Sequence, residues 1–365
     1  MEINKKSKIL VVDDNEFNIQ LIASILQEQY FLSVAMNGKD ALKIVEKDKP
    51  DIILLDVMMP EMDGYEVCRR LKSDDKTKDI PVIFLTALSE EGDEMKGLDL
   101  GAVDYVVKPV NPKLVEKRIH NHLALKYHRD NLELIVAERT RMLNLTQDVT
   151  IESLGNLAEY RDQETGGHIK RTKNYVKSLS INLKDNDRFK ATLTDDYIEL
   201  LTKSAPLHDI GKVGVPDSIL LKPGRLTDEE FEEMKKHTIY GRDIIAASEK
   251  SLGEESFLNL AREIAYTHHE KWDGSGYPEG IKGDAISLSG RIMAIADVYD
   301  ALISKRVYKA PFPHQKAVEI IAKGKGNHFD PDIAQIFIEH EEEFRLIALK
   351  YADFDEEREM LSIKK

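Results

Sequence analysis

Cysteine is nearly missing: the 365 residues contain one, Cys68. That excludes a disulfide framework and any thiolate metal site, and a cytoplasmic protein is expected. No segment offers the roughly 20 uninterrupted apolar residues that a bilayer span needs. Residues 1–8 lack an apolar core and a cleavage site, so no secretory signal is expected. Positive charge is also short, with 52 Lys and Arg against 66 Asp and Glu and a net charge of −14. This balance disfavours a protein that coats a nucleic-acid backbone or reads DNA through a basic recognition helix. A small anionic substrate stays open, provided metals or a local basic cluster overcome the background. What the chain does have is length: 365 residues, 42% of them hydrophobic, exceed one ordinary core of about 250–300 residues.

Three stretches follow one another. Short apolar runs at 9–12, 32–35, 52–55, 82–85 and 105–107 read as strands. Helical patterns at 17–29, 38–47, 65–73, around 95–100 and from 112 onward separate them. Five strand-then-helix units predict a five-stranded, doubly wound, flavodoxin-like α/β domain with a parallel sheet covered on both faces. Residues 113–150 contain neither Gly nor Pro, and Leu125, Leu132, Ile135, Met142 and Val149 fall near heptad seam positions. A long linker helix is expected, its seam open to two readings: a coiled coil with a second chain, or packing on its own domains. From Ile151 onward, helical periodicity dominates and the Gly- and Pro-bearing interruptions hold the His residues, predicting an all-α bundle. The expected division is 1–124, a helical linker 125–150, and 151–365.

In an open parallel sheet all strand C-termini share one edge, where ligands bind. Strand one ends in Asp13-Asp14, strand three in Asp56, strand four leads to Thr86 and strand five to Lys108-Pro109. Three crowded carboxylates favour a hard cation such as Mg²⁺, which would let a phosphoryl group approach Asp56, with Lys108 and Thr86 for its oxygens. Any one of these residues reads better as loop and helix-cap chemistry; five of them converging at four strand ends do not. With Leu54-Leu55-Asp56-Val57-Met58-Met59-Pro60 and Met62-Asp63-Gly64, the set resembles the receiver domain of response regulators. The resemblance implies that Asp56 accepts phosphate from a histidine kinase, with Asp13, Asp14 and the Met58 carbonyl around Mg²⁺. It also puts Tyr105 at the aromatic switch position that moves with Thr86.

Eleven His residues are present, and several stand beside carboxylates. Glu164 and His168 are four apart, so a helix would put them on one face. His208-Asp209 and His268-His269 are adjacent pairs, His237 follows a helical segment, and Asp297 and Asp300 lie in another. Imidazoles and carboxylates without sulfur suit Fe, Mn or Zn. A lone helical His is more often solvated or hydrogen-bonded than a ligand, but the doublets must be brought to one centre. There are too many ligands for one four-coordinate ion, so two or three metals are expected, an arrangement suited to phosphoester hydrolysis.

The series Glu164-Thr165-Gly166-Gly167-His168, His208-Asp209-Ile210-Gly211-Lys212, His268-His269-Glu270 and Asp273-Gly274-Ser275-Gly276-Tyr277-Pro278 resembles the HD-GYP family of metal-dependent phosphohydrolases. The match continues through Ala296-Asp297-Val298-Tyr299-Asp300 and Arg306-Val307-Tyr308-Lys309, Val307 standing where the family usually has Pro. The family is all-helical at its core and hydrolyses the bacterial second messenger cyclic di-GMP. By that resemblance His208, Asp209, His237, His268, His269 and Asp297 hold metals, Glu164 and His168 complete a site able to take three, and iron or manganese is favoured. Asp209 bridges two ions, Lys212 stabilises charge on the scissile phosphate, and Arg306 and Lys309 bind phosphate. Tyr277 faces the substrate or packs its loop, and that loop is a place for protein partners. The expected whole is a response regulator, homodimeric through its linker, that hydrolyses cyclic di-GMP under control of Asp56 phosphorylation. Two alternatives stay open: a non-catalytic cyclic di-GMP binder signalling through the 274–278 loop, and a hydrolase of another cyclic dinucleotide.

Overall fold

The computed structural model describes residues 6–87, 97–161, 166–249, 256–305 and 310–363. The chain separates into two compact units, Met1–Arg141 and Met142–Lys365.

In the first unit, β1 (Lys8–Val12), β2 (Phe31–Ala35), β3 (Ile52–Asp56), β4 (Val82–Thr86) and β5 (Asp104–Val107) form a parallel sheet in the order β2-β1-β3-β4-β5. Successive side chains leave a strand on opposite faces. Leu10, Val12, Ile53, Leu55 and Phe84 therefore enter one core layer, and Ile9, Val11, Ile52, Leu54 and Leu85 the other. Burial on both faces explains why β1 and β3 read as continuous apolar runs rather than alternating ones. The helices α1 (Glu16–Leu26), α2 (Gly38–Lys47) and α3 (Gly64–Ser73) start on Asn15, Asn37 and Asp63, whose side chains each accept a first-turn N–H. The strand order reverses between β1 and β3, and the crevice beyond their carboxyl ends is where this fold places ligands. Of the helical segment expected around 95–100, residues 97–99 are helical, and 95–96 lie outside the described residues.

One helix, Pro112–Tyr160, runs for 49 residues. It continues ten residues past the stop expected near 150, straight through Gly155. A Gly inside a helix costs about 1 kcal/mol relative to Ala. Here packing demands it: a Cβ on Gly155 would lie 2.5 Å from the Pro206 carbonyl oxygen.

Among its described residues, the second unit contains helices and no strand. Gly166–Leu183, Asp195–Ser204, Phe257–Thr267 and Leu288–Ile303 enclose a core that includes Val176, Leu179, Leu201, Ile264, Ile292 and Ile295. Tyr175, Tyr299, Phe337 and Phe344 pack into it edge to face, with Tyr175 stacked on Phe344. Leu288–Ile303 is buried along most of its length, as a helix apolar on nearly all sides must be. The polar residues that this helix and Gly166–Leu183 nevertheless carry inward are those of the site.

Candidate metal centre

His208 and Asp209 occupy the irregular segment between the one-turn 3₁₀ helix Ala205–Leu207 and the next, Ile210–Gly214. This breaks the helical repeat, so two adjacent side chains can turn to one centre. Gly211 permits the approach of the helix His237–Glu249, since a Cβ there would meet the His237 carbonyl oxygen at 1.9 Å. His268 closes Phe257–Thr267 as its C-cap, with His269 the next residue. Asp297 and Asp300 are three apart on Leu288–Ile303 and share its inward face.

The two oxygens of Asp209 face different neighbours. Oδ1 lies 3.2 Å from His237 Nε2 and 3.5 Å from His268 Nε2. Oδ2 lies 3.4 Å from His208 Nε2 and 2.8 Å from Lys212 Nζ. Asp209, His237, His268 and His269 have ligand atoms close enough to share one ion, and Glu159, His168 and His208 form a second such group. His168 Nε2 and His208 Nε2 are 3.3 Å apart, and Asp297 Oδ1 lies 4.0 Å from His208 Nε2.

Hydrogen bonds on the far side of each ring fix the tautomers. Carbonyl oxygens only accept, so Nδ1 of His208, His237 and His268 donates to Ala205, Met234 and Ile264. His168 Nδ1 bonds Asp300 Oδ2 at 2.8 Å. Each Nε2 is thereby left to the cluster with its lone pair inward. Asp209 Oδ1, His237 Nε2 and His268 Nε2 are buried and make no hydrogen bond of acceptable geometry among the described residues. Buried acceptors aimed at one another are costly unless a cation lies between them. The donor set therefore fits divalent metals, and its Nε2 and carboxylate character fits borderline ions.

Charge follows the same geometry. Burial pulls His208 down to about 4 and, with His268 and His237 beside it, holds His269 well below the ordinary imidazole value. Against the upward pull of burial, Lys212 and the imidazoles hold Asp209 well below the usual carboxylate range. Against its burial, His268 is raised by the Asp209 and Asp297 carboxylates; neutral His208 and His269 beside an ionised Asp209 are the protonation states that metal ligation requires.

Behind His168 stands a support that the sequence reading missed. Arg171 grips Asp300 through Nε and Nη2, at 2.7 and 3.0 Å, and reaches Asp353 and the Tyr351 carbonyl through Nη1. A carboxylate behind a ligating His fixes its ring and raises its basicity. The available signal was Arg171 three residues after His168, one helical turn along the same face. Glu159 was missed as well; it lies on the face of the long helix that buries Ile151, Gly155 and Ala158. A carboxylate on the apolar face of an amphipathic helix was the clue.

Tyr277 stacks on His269 with ring centroids 4.8 Å apart, covering that side of the centre. Its loop is tied back by Glu270, which is buried and accepts from the Glu279 and Gly280 amides at 2.8 and 3.1 Å. Glu164, Arg306 and Lys309 lie outside the described residues.

In the first unit, Asp13, Asp14 and Asp56 also bring ligand oxygens together, and Asp13 and Asp56 are buried. Lys108 Nζ bonds Asp13 Oδ2 at 2.7 Å and Asp56 Oδ2 at 2.9 Å. Burial raises the Asp56 carboxyl, against the Lys108 bond. The Met58 amide approaches Asp56 Oδ1 at 3.4 Å, and the Met58 side chain is exposed. Thr86 and Tyr105 line one small cavity with Val57, Tyr65 and Phe84, and the Arg118 guanidinium lies 5.7 Å over the Tyr105 ring.

Comparison with known proteins agrees with both units. A family model described as response regulator receiver domain matches residues 9–120, and one described as HD domain matches residues 152–333. Over its whole length the chain is 47% identical to a Vibrio cholerae protein named "Probable cyclic di-GMP phosphodiesterase", of which it covers 84%. It is 35% identical to a Thermotoga maritima "Cyclic di-GMP phosphodiesterase", over 95% of this chain and 94% of that one. A Xanthomonas campestris "Cyclic di-GMP phosphodiesterase response regulator RpfG" is 35% identical over 80% of this chain and 76% of its own. No described helix is long and apolar enough to cross a membrane. With both domains matched and a relative aligned end to end, the chain belongs to the response regulators of the HD-GYP type, a receiver domain followed by an HD domain.

Proposed function

We propose that this chain hydrolyses cyclic di-GMP at a centre of two or three divalent ions, iron or manganese, under control of phosphorylation at Asp56 by a histidine kinase. The observation that carries the reading is the divided environment of Asp209, whose Oδ1 faces His237 and His268 and whose Oδ2 faces His208. The names of the full-length relatives supply the substrate. When bound, the ions supply Lewis acidity that activates water against a phosphodiester. His168, His208, His237, His268, His269, Asp209 and Asp297 would hold them, with Glu164 completing the third position.

Lys212 is buried beside Asp209, where a cation stabilises charge developing on a phosphate. Arg306 and Lys309 would take the remaining phosphate oxygens. Tyr277 offers a ring face at the edge of the cluster for a base or ribose. In the receiver, Asp13, Asp14 and the Met58 carbonyl would hold Mg²⁺ while Asp56 takes the phosphoryl group, and Thr86 and Tyr105 would move in response. The lone, buried Cys68 fits a cytoplasmic place of action. Leu125, Leu132, Ile135, Met142 and Val149 are all exposed on the long helix, which favours pairing with a second copy over packing on its own domains. The 274–278 loop would serve protein partners.

The deciding experiment is turnover of cyclic di-GMP, beside other cyclic dinucleotides, by protein loaded with Fe or Mn without oxygen. Linear dinucleotide or GMP is expected. Tight binding without product would instead favour the sensor reading, and faster turnover of another cyclic dinucleotide would reassign the substrate.

A further inference from the structure

Among the described residues, Lys212 is the cation bonded to Asp209, and how it is held bears on the proposed chemistry. In this structure its Nζ leans on Asp209 Oδ2 at 2.8 Å. Asp209 is also the carboxylate whose oxygens face His208, His237 and His268. Once Asp209 is engaged by ions, it cannot fully serve Lys212 as well. A second carboxylate is present. Glu159 Oε2 lies 3.6 Å from Lys212 Nζ, and both side chains are buried, 2% and 10% exposed. Burying a carboxylate is costly unless positive charge compensates it, and no motif of the sequence accounts for Glu159.

We propose that Glu159 is a positioning residue for Lys212, keeping the ammonium aimed at the substrate phosphate when Asp209 is occupied by metal. Glu159 is the last residue but one of the helix Pro112–Tyr160, so the element that leaves the receiver ends on the partner of the centre's lysine. A small movement of that last turn would shift Lys212. The proposal rests on the hydrolase reading above, but not on the identity of the nucleotide.

The test is a double-mutant cycle on the full-length, metal-loaded protein, read with cyclic di-GMP and with a chromogenic bis-aryl phosphodiester. E159Q keeps the shape and removes the charge; K212Q removes the cation. If Glu159 acts through Lys212, E159Q lowers kcat by about a hundredfold, the scale of a catalytic group displaced by 1 Å. Combined with K212Q it adds almost nothing, because neighbours acting as a unit are non-additive. E159D, which restores a carboxylate, recovers part of the loss, while metal equivalents and melting temperature stay those of wild type. Multiplicative effects, a loss of bound metal in E159Q, or no change of kcat would overturn the proposal. Wild-type protein that cleaves the aryl diester but not cyclic di-GMP would refute the substrate reading alone and leave the cycle interpretable.

Discussion

His168 and His208 come from separate elements, yet their Nε2 atoms stand 3.3 Å apart. Each ring gives its Nδ1 side to an oxygen, Asp300 for one and the Ala205 carbonyl for the other. Two inward lone pairs at that distance require a proton or a cation between them. Metal loading should therefore stabilise the fold as well as switch on activity. At a free Mn²⁺ concentration 100 times its dissociation constant, the gain is about 2.7 kcal/mol per site. Calorimetric melting before and after chelation measures it, and an unmoved transition would refute a preformed metal site.

Asp300 should govern metal affinity without touching the metal. Asp300→Asn removes the ionised acceptor behind His168 and weakens the bidentate grip of Arg171. Losses at such supporting groups run about 10–100-fold in metal affinity. Manganese titration of the variant, with circular dichroism to verify the fold, checks this. An unchanged dissociation constant would mean that the ring is held by packing alone.

Lys108 bonds Asp13 and Asp56, two of the carboxylates that would hold Mg²⁺. Lys108→Ala leaves them facing one another without their cation, and like charges so placed bind a divalent ion harder. One unit charge at about 4 Å is worth about 1–4 kcal/mol between water and a protein surface, so Mg²⁺ should bind about tenfold tighter. Asp56→Asn should abolish labelling by a small phosphodonor. Fluorescence titration and phosphate-retarded gel mobility are the readouts.

His314 offers a pH test away from both sites. It is buried, with Nδ1 2.8 Å from the Tyr299 hydroxyl, and burial lowers its pKa below the ordinary value. The unfolded chain then takes up a proton near pH 6.5 while the folded protein does not. Stability is lost as pH falls from about 6.5 toward the depressed folded value, by up to about 1.4 kcal/mol per pH unit. His314→Gln should flatten that part of the curve in urea titrations at pH 7 and pH 5.5. Parallel curves for the two proteins would be the contrary result.

The exposed seam of the long helix predicts an association constant sensitive to charge. Leu132→Lys with Ile135→Lys puts two ammonium groups on it, and a coiled-coil dimer should become monomeric by light scattering. A double variant that remains dimeric would move the interface elsewhere.

The strands and their order of use were legible in the sequence because burial on both faces writes uninterrupted apolar runs, and Asp13, Asp56 and Lys108 mark the ends of three of them. The His-Asp and His-His doublets were legible because few other arrangements place such residues side by side. Arg171 and Glu159, and the place of Asp300 behind His168, were harder to read. A single charged residue in a helical pattern looks the same whether it meets water or an imidazole, and only the crossing of helices distant in the chain decides which. Local sequence fixes an element and the residues on its face, since those follow from period and propensity. Which oxygen of Asp209 meets which ring, and which carboxylate stands behind Lys212, depends on contacts between residues as far apart as 159 and 212, and these exist only once the core has packed.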